Sequence, residues 1–279
     1  MYKRGLLAHD LSDIADCLLG FIPALIEQGM DRLDLVHVTD SRYPGGQAAN
    51  MSSDEVEAAL QERVDYITAK YDLTVRSHNR RGFPAGQILN TAHEIEAELI
   101  IAGSRGHNWL SEYMIGSTAA DLIRISKKPL LLGRFKEPED TEHEIPPLMT
   151  STPWDNMVVG TDLSEVAGRV ENTVQQLCEY SDDIHLVSVY TSKMAKKYSR
   201  EDIKGHLEKI SSKYSPSCNV DFRTEEGVTS RVLENIANEV DASLIVVGKR
   251  GGGALRKLLL GSTPAELSRF SSHHLLIIP

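Results

Sequence analysis

The sequence predicts an α/β protein of two doubly wound, open parallel-sheet domains, with five strands and four helices in each. Three observations lead there. A glycine pattern occurs twice, in "GSRGHNWLSEYMIGSTAADL" from Gly103 and "GKRGGGALRKLLLGSTPAEL" from Gly248, and Gly103, Gly106 and Gly116 stand 145 residues before Gly248, Gly251 and Gly261. Strand-like and helix-like segments alternate along both halves of the chain. The runs "LIIAG" and "LIVVG" are almost wholly apolar, which marks a parallel sheet covered on both faces.

In the first half, "RGLLAHD", "LDLVHVTD", "DLTVRSHN", "AELIIAG" and "KPLLLGRF" are short apolar or alternating runs bounded by polar or glycine residues, and they read as strands. Between them, segments near 12–28, 53–70, 85–97 and 117–126 have helical length and spacing, as in Ile88, Leu89, Ala92 and Ile95. The second half repeats the order with strands at "NMVVGTD", "IHLVSVY", "NVDFRTE", "ASLIVVG" and "HLLIIP" and helices near 165–180, 200–213, 229–240 and 262–270. The stretch 136–153, "KEPEDTEHEIPPLMTSTP", is acidic and proline-rich without apolar periodicity, so it reads as a linker between domains at 1–135 and 154–279. The last strand of each half is an apolar edge, and pairing the two would give an internal pseudo-dimer, with a further homodimer open.

With 41% apolar and 25% charged residues over 279 positions, the chain can bury two modest cores. Its net charge of −10 repels a phosphate backbone, and no basic stripe with interleaved aromatics offsets that, so nucleic acid is not an expected partner. Cys17, Cys178 and Cys218 lack metal-ligand or C-x-x-C spacing, which predicts free thiols and no metal site. The N-terminal apolar run is broken at His9 and Asp10, unlike a signal peptide, and no run reaches membrane-spanning length. The expected compartment is cytoplasmic.

The repeated loop joins a strand ending at Gly103 or Gly248 to a helix starting with "STAADL" or "STPAEL". Glycines there would let the backbone take unusual dihedrals and admit a close ligand, and amides at a helix start point toward an anion. Phosphate is the expected guest. Arg105, Lys249 and Arg250 either add charged contacts to it or are solvated surface groups. A tight turn explains one such glycine, but not a spacing kept twice while the residues between have diverged. The P-loop pattern and the dinucleotide pattern G-x-G-x-x-G are both absent.

On the pattern G-x2-G-x9-G-[S/T], carried by Gly103, Gly106, Gly116 and Ser117 and again by Gly248, Gly251, Gly261 and Ser262, the chain resembles the universal stress protein family in its tandem form. "AHDLS" and "GTDLS" resemble that family's first strand end. The resemblance implies an adenine-nucleotide alpha-hydrolase-like fold and binding of ATP, AMP or ADP, with magnesium an option at the phosphates. It implies that Asp10 and Asp162 bond adenosine, that Val38 and Val189 pack on adenine, and that Thr118 and Thr263 assist the serines. From the residues alone, each Asp is either a ribose ligand or a helix N-cap, and each Val is either a base platform or plain core.

Ala8 fits the family's small residue two before the Asp, whereas Gly160 would leave the second site less packed and weaker. His9, His37 and His107 are not mirrored by Thr161, Ser188 and Gly252, so no catalytic histidine is shared and no hydrolytic apparatus is read. The resulting expectation is a nucleotide-binding stress or signalling protein that engages an unidentified protein partner. A slow ATPase or self-phosphorylating enzyme, or a scaffold without nucleotide, are the alternatives.

Overall fold

The computed structural model describes residues 1–40, 51–104, 115–135, 152–214, 216–250 and 261–279. They divide into two compact units, Met1–Thr150 and Ser151–Pro279. The expected linker lies outside the described residues except for Thr152 and Pro153.

Unit 1 runs β1 (Arg4–Ala8), α1 (Asp13–Asp16), α2 (Ile22–Glu27), β2 (Arg32–Asp40), α3 (Ser53–Lys70), β3 (Thr74–Gly82), α4 (Pro84–Glu94), β4 (Leu99–Gly103), α5 (Ser117–Ile125) and β5 (Leu130–Gly133). The strands order as β3-β2-β1-β4-β5 and pair in parallel. Unit 2 runs β6 (Asn156–Gly160), α6 (Glu165–Leu177), β7 (Asp183–Val189), α7 (Arg200–Ser211), β8 (Asn219–Glu225), α8 (Thr229–Glu239), β9 (Leu244–Gly248), α9 (Ser262–Phe270) and β10 (His274–Ile278). Its order, β8-β7-β6-β9-β10, is the same and again parallel.

The apolar runs that suggested buried strands are buried: Leu99, Ile100 and Ile101 in β4 and Leu244, Ile245 and Val246 in β9 have no exposed surface. Helices cover them with one apolar stripe each. In α6 that stripe is Ala167, Val170, Val174 and Leu177, spaced three or four apart. The first expected helix, 12–28, is broken: α1 passes into a 3-10 turn, Cys17–Phe21, before α2. Pro23 has no amide to continue the ladder and sits in the first turn of α2, where none is needed, and Gly20 just before it is a poor helix former. Among the described residues no helix is long and apolar enough to cross a membrane.

The strand order places the site. The chain winds outward from β1 to β3 and then returns to β4 on the other side of β1, and the reversal between the carboxyl ends of β1 and β4 is where doubly wound sheets take ligands. The same reversal falls between β6 and β9.

Candidate functional site

Asp10 follows β1 by two residues and Asp162 follows β6 by two, which puts both carboxylates at these switch points. The next residue, Leu11 or Leu163, has φ of 65° or 58°. A branched residue in the left-handed region is strained by about 1 kcal/mol or more, and it occurs at the matched place in both units. The turn lets Asp10 Oδ1 accept from the Ser12 amide at 3.1 Å and Asp162 Oδ1 accept from the Ser164 amide at 3.2 Å. The N-caps are the serines: Ser12 Oγ accepts from the Ala15 amide and Ser164 Oγ from the Ala167 amide. The N-cap reading of the two aspartates is thus replaced by an Asp-to-Ser turn that holds each carboxylate at the strand end.

The glycine loops close in the same way twice. The Gly116 amide donates to the Ser104 carbonyl at 2.9 Å, and the Gly261 amide donates to the Lys249 carbonyl at 3.0 Å. Each bond brings a helix start onto the strand end before it. At Gly116 (φ −62°, ψ 146°) and Gly261 (φ −64°, ψ 148°) the expectation of unusual dihedrals is corrected, since both are extended, whereas Gly106 and Gly251 lie outside the described residues. Space is the reason for the residue type: a Cβ on Gly261 would lie 3.1 Å from the Lys249 carbonyl oxygen, and one on Gly248 would lie 2.7 Å from Val166 Cγ1. Neither α5 nor α9 has a side-chain N-cap, so the first amides of each, from Ser117 and Thr118 and from Ser262 and Thr263, remain for an anion at the positive end of the helix dipole.

In unit 2 these parts surround a cavity of about 610 Å³. Asp162, Val189, Gly248, Arg250, Gly261, Ser262 and Thr263, all expected from the sequence, line it. Such a volume and mixture of apolar wall with a few polar groups is typical of small-molecule sites. Val189 is both buried and part of the wall, which reconciles the two readings of that residue. The Gly160 expectation is corrected: Leu233 Cδ1 lies 2.9 Å from where a Cβ would be, so the space is already filled.

Sequence reasoning missed one wall. Lys193, Met194, Lys197 and Tyr198, from the segment after β7, line the cavity opposite the glycine loop, and Thr229 and Leu233 come from α8. The run "KMAKKY" beside a strand end was the available signal for the first group. For the second it was the glycine before α8: Gly227 has φ of 134° and its unit 1 counterpart Gly82 has 136°. Among the described lining residues Lys193, Lys197 and Arg250 are basic and Asp162 is the one carboxylate, in a chain whose net charge is −10. The neighbouring Lys249 is buried, and burial followed by the charge of Arg250 pushes its ammonium down to about 8.

In unit 1, Asp10, Val38, Gly103, Gly116, Ser117 and Thr118 occupy the corresponding strand ends and helix start. Arg105, Gly106 and, in unit 2, Gly251 lie outside the described residues. Behind the Asp10 turn, His9 Nδ1 accepts from the Leu11 amide while His9 Nε2 meets Asp16 Oδ1 at 3.0 Å. Arg63 grips the same carboxylate through Nε and Nη2 at 2.7 and 2.8 Å. Burial raises the Asp16 carboxyl, but the bonds and charges of His9 and Arg63 outweigh it and hold the group below its ordinary range. Unit 2 supports its turn differently, with Thr161 Oγ1 donating to Glu171 Oε1 at 2.7 Å and His206 Nε2 at 3.1 Å from that oxygen. His37 is likewise buried, its Nδ1 bonded to the His9 carbonyl. His9 and His37 therefore buttress the turn, while His107 lies outside the described residues.

Fold and site together define a tandem, doubly wound α/β protein with, in unit 2, a cavity lined in part by basic residues at the carboxyl edge of a parallel sheet. The family model described as "Universal stress protein family" matches residues 1–134 and 153–279, and the chain belongs to that family. Universal stress protein YxiE of Bacillus subtilis is 43% identical over 148 residues, which are 48% of this chain and 100% of that protein. Universal stress protein MJ0577 of Methanocaldococcus jannaschii is 26% identical over 157 residues, 49% of this chain and 97% of that protein. A crystal structure of a universal stress protein from Archaeoglobus fulgidus shares the fold at a TM-score of 0.76 and 20% identity, covering 99% of this chain and 98% of that one.

Proposed function

We propose that the chain binds adenine nucleotides, one in each unit, and acts in stress response or signalling by changing its contacts with a protein partner when a nucleotide is bound. The observation that carries this is the unit 2 cavity, where a carboxylate at the strand end, an apolar platform and an uncapped helix start with Arg250 meet around one space. These are the groups that ribose, base and phosphate require in that order. Binding, as opposed to hydrolysis, is favoured by the wall itself: no histidine or glutamate is among the described residues lining it, and Asp162 is engaged by the Ser164 amide. Cys17, Cys178 and Cys218 are unbridged, which accords with a reducing, cytoplasmic setting.

Calorimetry of the intact chain with ATP, with and without magnesium, tests the reading. Two equivalents bound, with no phosphate release above that of a Gly116→Val/Gly261→Val control, is the expected result. No binding of ATP, ADP or AMP would overturn it.

A further inference from the structure

We propose that the cavity of unit 2 selects a nucleotide carrying a second phosphate on its ribose, with the 5′ chain toward Arg250 and the start of α9 and the ribose phosphate toward Lys193 and Lys197. This rests on the nucleotide reading above and adds the ligand class for one unit. The glycine loop and Arg250 follow β9, whereas the two lysines follow β7, and β6 with Asp162 lies between. Neighbouring strands are just under 5 Å apart, so the ends of β7 and β9 stand about 10 Å from one another. A single 5′ phosphate chain accounts for the cations on the β9 side and leaves the pair on the β7 side unexplained. In a doubly wound fold a carboxylate suits free ribose hydroxyls, and a basic group nearby accommodates a ribose phosphate. This wall holds both.

The lysine segment is a built structure. Met194 is buried, its amide is 3.3 Å from Thr191 Oγ1, and the amides of Lys197 and Tyr198 donate to the Met194 carbonyl at 2.8 and 2.9 Å. Tyr190 Oη donates to the Tyr198 carbonyl, and the Arg200 guanidinium lies 4.9 Å from the Tyr190 ring. Rooted in this way, Lys193 and Lys197 are exposed at the edge of the cavity. The corresponding stretch of unit 1, 40–52, carries one cation, Arg42, where unit 2 has the pair.

Calorimetry with AMP, adenosine 2′,5′-bisphosphate, adenosine 3′,5′-bisphosphate and ATP, on the intact chain and on Lys193→Ala/Lys197→Ala, tests the inference. The intact chain should bind at least one bisphosphate ten times more tightly than AMP at one of its sites, and in the variant that ratio should fall to near one. Equal affinities for AMP and both bisphosphates, or a gain that survives in the variant, would overturn it. So would a variant in which only the ATP-to-AMP ratio falls, because the lysines would then serve the triphosphate. Failure of every nucleotide to bind would remove the nucleotide reading and this inference together, whereas AMP binding without a bisphosphate gain removes this inference alone.

Discussion

The Gly261 amide donates to the Lys249 carbonyl at 3.0 Å, and the same carbonyl oxygen lies 3.1 Å from where a Gly261 Cβ would sit. The loop is closed by a contact that leaves no room for a side chain. Since the torsions of Gly261 suit any residue, Gly261→Val should fold, at an overpacking cost of about 1–3 kcal/mol. It should also bring a branched group to the helix start where phosphate is expected. Calorimetry should show stoichiometry falling from two to one in Gly261→Val and in Gly116→Val, and to zero in the folded double variant. Unchanged affinity and stoichiometry in that double variant would end the phosphate-cradle reading.

Asp162→Ala should weaken nucleotide binding in unit 2 about tenfold, the effect of losing one charge-assisted hydrogen bond of 1.4 kcal/mol or more. The Ser164 cap on α6 stays in place, so thermal unfolding of the ligand-free protein should shift little. A large loss of melting temperature with unaltered affinity would make Asp162 a purely structural residue.

Asp16→Ala removes the buried acid that joins His9 and Arg63 and leaves the half-buried guanidinium with only the Ala59 carbonyl. Breaking a buried pair in this way costs about 3–5 kcal/mol. Urea unfolding should show a transition at lower denaturant than in the wild type. A change below about 1 kcal/mol would mean the network is not cohesive.

Glu234 on α8 accepts from the Ser272 amide at 3.0 Å and from Ser272 Oγ at 3.2 Å, with His273 Nδ1 at 3.4 Å. Burial raises its carboxyl, but the bonds from His273, Ser271 and Ser272 outweigh this and hold it at about 2 against an ordinary 4.5. A depressed folded pKa stabilises above the unfolded value, so the contribution is full above pH 4.5 and fades as pH falls toward 2. At neutral pH it amounts to about 3 kcal/mol by linkage. Glu234→Gln should therefore be less stable than the wild type at pH 7, and the difference should shrink between pH 4.5 and 2 in paired urea titrations. A difference that stays constant across that window would refute the assignment.

Strand and helix positions along the chain were legible because apolar runs and helical spacing are local properties, whereas the order of strands in the sheet was not. The break in the first helix was also written locally, in Gly20 and Pro23, but a reading by segment length passes over it. Asp10, Asp162, Val189, Gly103, Gly116, Gly248 and Gly261 stand at or just beyond element boundaries, which is what the sequence pattern marks. Lys193 and Lys197 were harder to find: the run "KMAKKY" lies beside a strand end, but nothing local says which exposed lysines a loop will turn toward a cavity assembled from β6, β7, β9 and α8. The swap of Asp16 and Arg63 for Glu171 and His206 was hidden for a similar reason: the acids lie at different turns of their helices and meet their partners only through packing.

The rooted lysine segment after β7 also bears on how fast a ligand arrives. A fixed rim of positive charge on a protein of net charge −10 draws anions locally toward one mouth while the rest of the surface repels them. Capture by unit 2 should then be quick in dilute buffer and slow steeply as ions shorten the Debye length, to about 8 Å at physiological strength. Unit 1, whose 40–52 stretch carries the single cation Arg42, should respond to salt less steeply. One polypeptide would then sample the same pool of anions on two different clocks.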